Sequence, residues 1–175
     1  MSRNLVRTFV FATLLGVLFA ASASAKNMIP DPDFKKFAEG PIPQADAWKK
    51  HWIPFQIMGP SQWKVQPDAG AVELKGGKTF LHSPRFKVEV GQKLTLALTA
   101  KGKGKVSIQC LYWTAEGGMA DTHRTVVVKP VKVEGKKKDL QGTDTVPEGA
   151  AEAYIRIVVE DGTLTVSDPT VMPAG

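Results

Sequence analysis

Cysteine is nearly absent from this chain: of 175 residues only Cys110 carries a thiol, so no internal disulfide can form. Long apolar runs are absent too. The longest, from Phe9 to Ala20, falls short of the roughly 20 apolar residues that a bilayer span needs, and nothing later approaches it. The protein is therefore expected not to span a membrane. That run follows Arg3 and Arg7 and precedes Ala21-Ser22-Ala23-Ser24-Ala25, the three parts of an export signal cleaved after Ala25. No cysteine sits at the cleavage point, which removes the usual lipid attachment of a bacterial envelope protein. The expectation is a soluble product, residues 26–175, that is secreted or periplasmic and folds as a single β-sandwich domain. Without disulfides it must rest on its core, and a domain of about 150 residues buries roughly 70% of its unfolded surface.

Arginine is scarce. The chain has 23 Lys plus Arg against 17 Asp plus Glu, and removal of Arg3 and Arg7 leaves 21 cations, of which 18 are Lys, and a net charge of +4. Neither Arg-rich clusters nor a groove-reading motif is present, so nucleic acid is not an expected partner. Stretches free of glycine and proline are short, with 16 Gly and 12 Pro spread between apolar runs, which excludes a helical bundle. Catalytic signatures are missing as well: there is no Gly-x-Ser-x-Gly elbow, no His-Glu-x-x-His and no phosphate-binding glycine loop. His51, His82 and His123 are dispersed and read as structural residues rather than a metal site. A carboxylate pair for glycan hydrolysis is a three-dimensional property that sequence leaves open. Glu116 and Asp121 would be the candidates, but the reading is of a protein that is not an enzyme.

What the chain does have is alternation with a period of two, the pattern of strands with one buried face. Phe86, Val88 and Val90 alternate with charged neighbours, and Leu94, Leu96 and Leu98 with Thr95, Ala97 and Thr99. Val106, Ile108 and Cys110 share one face, opposite Ser107 and Gln109, in a strand ending at Trp113. A loop is expected from Thr114 to His123. Pro130 implies an edge position or a bulge in the strand that follows. Ile155, Ile157 and Val159 face opposite to Tyr154, Arg156 and Val158, and Asp161-Gly162 reads as a tight hairpin before Leu164 and Val166. The segment from Lys26 to Gln62, with six prolines, reads as an extended wrapping stretch with one helical turn near Phe34 to Glu39. Turn signals every 8–12 residues indicate a sandwich or barrel.

The order of these pieces resembles the galactose-binding-like jelly rolls, and among them the family 4/9 type of carbohydrate-binding module. Asn27-Met28-Ile29-Pro30-Asp31-Pro32-Asp33-Phe34 is similar to the family's opening phrase, and Gly162-Thr163-Leu164-Thr165-Val166-Ser167-Asp168-Pro169-Thr170-Val171 to its last strand. Ser83-Pro84, Val90-Gly91 and Ala100-Lys101-Gly102 fall where the family's middle strands begin and end. The resemblance implies an all-β jelly-roll β-sandwich of antiparallel strands, an extended proline-rich N-terminal segment, and non-catalytic binding of a polysaccharide or glycan. It also implies a late aspartate, here Asp168, that helps hold a structural calcium. Lys35 stands where the family often has the partner glutamate, and a cation there would repel the metal. The competing reading is an inward-facing Asp168, on the parity of Leu164 and Val166, that is hydrogen-bonded or salt-bridged.

Sugar recognition needs flat aromatic faces for the apolar side of the ring and planar polar groups for its hydroxyls. Gln109, Tyr154 and Arg156 lie on faces opposite to their strands' core residues, and Trp113 ends the strand of Gln109, so these four are the expected patch. Trp48 and Trp52 either plug the sandwich end or project as stacking platforms, and Trp52 joins the candidate ligand-binding residues. Trp63 shares the face of Val65 and is expected in the core. Cys110 reads as a buried small hydrophobe. Lys101, Lys103 and Lys105, in an expected loop, and Lys136, Lys137 and Lys138, in an expected turn, should fall at one end of the sandwich. There they either guard an edge against aggregation or attract an anionic glycan. A structural domain contacting an envelope protein, without glycan binding, is the alternative function.

Overall fold

The computed structural model describes residues 26–37 and 49–174; within these, the side chains of 55–61, 121 and 122 are not described. The expected export signal and Trp48 lie outside the described residues. Among the described residues seven strands make an all-β, antiparallel jelly-roll sandwich: β1 (Ile53–Gln66), β2 (Ala71–His82), β3 (Phe86–Lys87), β4 (Lys93–Trp113), β5 (Met119–Glu134), β6 (Lys138–Thr145) and β7 (Glu152–Pro173). Their order is β1-β2-β7-β4-β5, with β3 beside β7 and β6 beside β4. Among the described residues no helix is long and apolar enough to cross a membrane.

Two layers arise because β2, β4 and β7 run through both of them and bend at one level. Gly76 pairs with Gly162, Lys103 with Thr163, and Gly102 with Leu164, so glycines stand side by side where the sheet folds over. Backbones come too close there for side chains. A Cβ on Gly162 would collide with the Lys103 carbonyl, and one on Gly102 with the Thr163 carbonyl. Asp161-Gly162 is therefore a bend inside the single strand β7 and not a hairpin, and Lys101 to Lys105 lie on the bending strand β4 and not in a loop. In one layer β4 residues 93–100 pair with β6 and the end of β7; in the other, residues 105–113 pair with β5 and the start of β7. Between them Leu94, Leu96, Ile108, Tyr112, Ile155, Ile157 and Leu164 form one buried core.

The end strands show the remaining departures. Pro130 sits in a bulge of β5, an end strand in the sheet order, because Val128 and Val131 oppose Ile108 and Val106, leaving two residues against one. The loop before β5 spans only residues 114–118. The last ten residues of the expected wrapping stretch, 53–62, belong to the edge strand β1. There Trp63 lies opposite the fully buried Leu74 yet stays 36% exposed, because among the described residues no further strand covers the edge. No helical turn forms at 34–37; Phe34 takes φ 57°, and Phe37 bridges Trp52 in parallel. Residues 38 and 39 lie outside the described residues.

The opening and closing phrases meet in space. Asn27 accepts from the Ile29 and Val171 N–H groups (3.2 and 3.0 Å) and donates to the Pro169 carbonyl (3.0 Å). The buried Asp31 carboxylate accepts from the Lys35 and Lys36 N–H groups (3.1 and 2.6 Å), closing the loop that presents Phe34. Trp52 is the plug beneath it: wholly buried, its ring tilted against that of Phe34 at 4.5 Å, with its indole N–H donating to the Asp31 carbonyl (2.6 Å). It cannot serve as a stacking platform for ligand.

Candidate functional site

Pairing register places the outer face of the second layer. In β4 the even residues Val106 to Tyr112 fill the core, which turns Ser107, Gln109, Leu111 and Trp113 outward. Gln109 lies opposite Arg156, and Arg156 opposite His82; Leu111 lies opposite Tyr154, and Trp113 opposite Glu152. The structure thus brings Gln109, Trp113, Tyr154 and Arg156 onto one face, without Trp52.

Arg156 anchors this face. Its Nε donates to His82 Nε2 (2.8 Å), and its guanidinium lies 4.6 Å from the centre of the Phe80 ring. The His82 ring packs 5.0 Å from that of Tyr154. Burial first, and the neighbouring Arg156 charge second, hold the His82 pKa down at about 3, so the imidazole is neutral and free to accept. Tyr154 is itself only 6% exposed, and burial raises its phenol pKa. At the end of the face Arg85 lies 4.1 Å over the Trp113 indole and pairs with Glu152 (3.2 Å). Such guanidinium stacking fixes the ring's orientation before any ligand arrives.

Three buried polar atoms here find no hydrogen-bond partner among the described residues: Gln109 Oε1, Trp113 Nε1 and Arg85 Nε. An unmet buried donor or acceptor costs about 1–3 kcal/mol, so such groups are rare except where a ligand or water completes them. One acceptor and two donors on a partly exposed, aromatic-lined face suit a polyhydroxylated molecule. Phe80, His82, Arg85 and Glu152 were missed by the sequence reading, although Phe80 and His82 share the parity opposite to Thr79 and Leu81.

The other candidates fall elsewhere. Asp168 points outward, not inward: it takes φ 52° in a bulge, since Ala97 and Thr99 face Thr170 and Ser167, and the inward parity passes from Val166 to Pro169 and Val171. Its carboxylate accepts from the Ser167 hydroxyl (2.8 Å) and borders a depression of about 640 Å³. In that depression the Lys35 ammonium stands 3.3 Å from Asp33. Among the described residues no three His, Cys, Asp or Glu side chains come together to hold a metal. His123 is exposed and His51 half-buried; Glu116 lies exposed in the loop before β5, and the side chain of Asp121 is not described. Cys110 is buried in the core, where desolvation pushes its thiol up to about 12. The two lysine groups are neighbours: the Gly135 N–H donates to the Gly102 carbonyl (2.6 Å), and Lys138 lies opposite Ala100.

No known protein family matches the chain, and no curated protein does. Solved structures do. A carbohydrate-binding module of family 4 matches with a TM-score of 0.59 at 16% identity, over 83% of this chain and 99% of its own. The xylan-binding CBM22-1 domain of Paenibacillus barcinonensis Xyn10C matches with a TM-score of 0.55 at 10% identity, over 87% of this chain and 97% of its own. The enzymatically active domain of bacteriophage CBA120 tailspike protein 4 matches 71% of this chain, with a TM-score of 0.51 and 13% identity, but the match spans only 20% of that longer protein. The chain accordingly has the jelly-roll β-sandwich fold seen in these carbohydrate-binding modules.

Proposed function

We propose that this is an exported, non-catalytic carbohydrate-binding domain that holds a polysaccharide or glycan against the outer face around Trp113. The observation that supports this most is that Gln109 Oε1, Trp113 Nε1 and Arg85 Nε are all buried without a partner among the described residues, beside an indole already oriented by Arg85. The partly exposed indole gives the apolar side of a sugar ring a surface, and rotation of the Gln109 and Arg85 side chains opens their closed-off polar atoms to its hydroxyls. Tyr154 and His82 lie beneath and keep Arg156 in place. The fold shared with a xylan-binding domain agrees with this reading.

Affinity gel electrophoresis against neutral and acidic polysaccharides tests it, with Trp113→Ala and Gln109→Ala beside the wild type. A glycan that retards the wild type should bind Trp113→Ala about tenfold more weakly or worse, since buried aromatics dominate such contacts. Retardation by no polysaccharide would sink the proposal, and capture of a stable envelope-protein partner in its absence would turn the reading to protein interaction.

A further inference from the structure

The outer surface where the sheet folds over carries a second arrangement, which the face around Trp113 does not use. Three registered rows cross it. In the first, Lys64, Glu73, Thr165 and Lys101 lie side by side on β1, β2, β7 and β4. In the second, Lys75, Thr163, Lys103 and Glu134 follow one another from β2 to β5. The third runs Lys78, Glu160, Lys105 and Lys132. All are turned away from the core residues Leu74, Leu164 and Val166 that alternate with them.

Charge on these rows is only partly balanced. Glu160 is taken by Lys78 (2.6 Å), Glu134 by Lys132 (2.6 Å) and Asp161 by Lys105 (3.1 Å). Lys64, Lys75, Lys101 and Lys103 have no carboxylate within ion-pair distance among the described residues. Lys105 and Lys132 are directly opposed, a like-charge pairing that weakens a sheet and that an edge guard does not require. The middle strand, β7, carries the short Thr163 and Thr165, with Glu73 and Lys75 on one side and Lys101 and Lys103 on the other. The result is a trough floored with hydroxyls and walled mainly by lysines, with the Glu73 carboxylate beside Thr165 and the Cα atoms of Lys101 and Lys103 about 7 Å apart along β4. None of the side chains on the rows is apolar, which suits a hydrated chain rather than a lipid surface.

We propose that this trough binds an acidic polysaccharide, one bearing carboxylate or sulfate groups along its length, laid along β7 with its anions on Lys75, Lys101 and Lys103 and its hydroxyls on the threonines. This site is separate from the face around Trp113 and does not depend on it. Attraction by exposed ammonium groups is screened by salt, since the Debye length falls to about 8 Å at physiological ionic strength.

The test is affinity electrophoresis in polygalacturonate. Wild type should be retarded at about 20 mM salt and released by about 0.3 M. Lys75→Glu/Lys101→Glu/Lys103→Glu should weaken binding about tenfold or more, and the triple Gln variant should weaken it less but measurably. A charge-matched control, Lys87→Glu/Lys93→Glu/Lys129→Glu, reverses three exposed lysines off the rows and should stay within about twofold of wild type. Trp113→Ala should retain the polygalacturonate component, which separates this site from the glycan face. Equal losses in the trough and control variants, retention by the trough variant, or loss in Trp113→Ala would each overturn the proposal.

Discussion

Acidification probes the outer face through His82. In the folded chain its pKa is about 3, against the ordinary 6.5, because burial and then Arg156 oppose its charge. Between those values the unfolded chain holds a proton that the folded chain does not, so stability falls as the pH falls from 6.5 toward 3. At pH 5 the ordinary value is 1.5 units away, and each unit is worth about 1.4 kcal/mol, which gives a loss of about 2 kcal/mol relative to pH 7. The figure holds for any folded value well below 5. Urea unfolding of the wild type and His82→Gln at both pH values measures it; glutamine keeps an acceptor for Arg156 Nε but does not titrate. The wild type should lose about 2 kcal/mol more than the variant between pH 7 and 5. Whatever the rest of the chain contributes is common to both proteins and cancels. If both lose the same stability, His82 is not a buried neutral acceptor, and the account of how Arg156 is held is wrong.

Two further outcomes concern the scaffold. Trp52→Ala should cost about 3–5 kcal/mol in chemical denaturation, because a wholly buried indole and its hydrogen bond to Asp31 are lost, while glycan retardation of the folded fraction is unchanged. Gly162→Ala should lower stability by about 3 kcal/mol through overlap with the Lys103 backbone, whereas Gly91→Ala, at φ 77° with open space around its Cβ, should cost only about 1–2 kcal/mol; thermal melts of the two decide.

The sequence by itself determined the fold class and the sidedness of the strands. Side-chain direction alternates with a fixed period of two, so Val106, Ile108 and Cys110 had to oppose Gln109, and Ile155 and Ile157 had to oppose Tyr154 and Arg156, whatever lay beside them. That was enough to put four of the five proposed ligand-binding residues on one face. Tertiary structure decided everything that depends on a neighbouring strand. Asp161-Gly162 makes a hairpin only when its flanking segments pair with each other; here both pair with β2 and β4, so the same dipeptide bends one long strand. Parity carried past Val166 failed at Asp168 because a bulge inserts one residue and turns the carboxylate to solvent. Neighbours also decided Trp52, a candidate for ligand, and Trp63, expected in the core: the first is sealed by Phe34 and Asp31 from a loop held through Asn27 to the last strand, and the second lies on an edge that no described strand covers. The alignment of lysines across four strands is likewise a fact of register, since residues far apart in the chain become neighbours only when the sheet has formed.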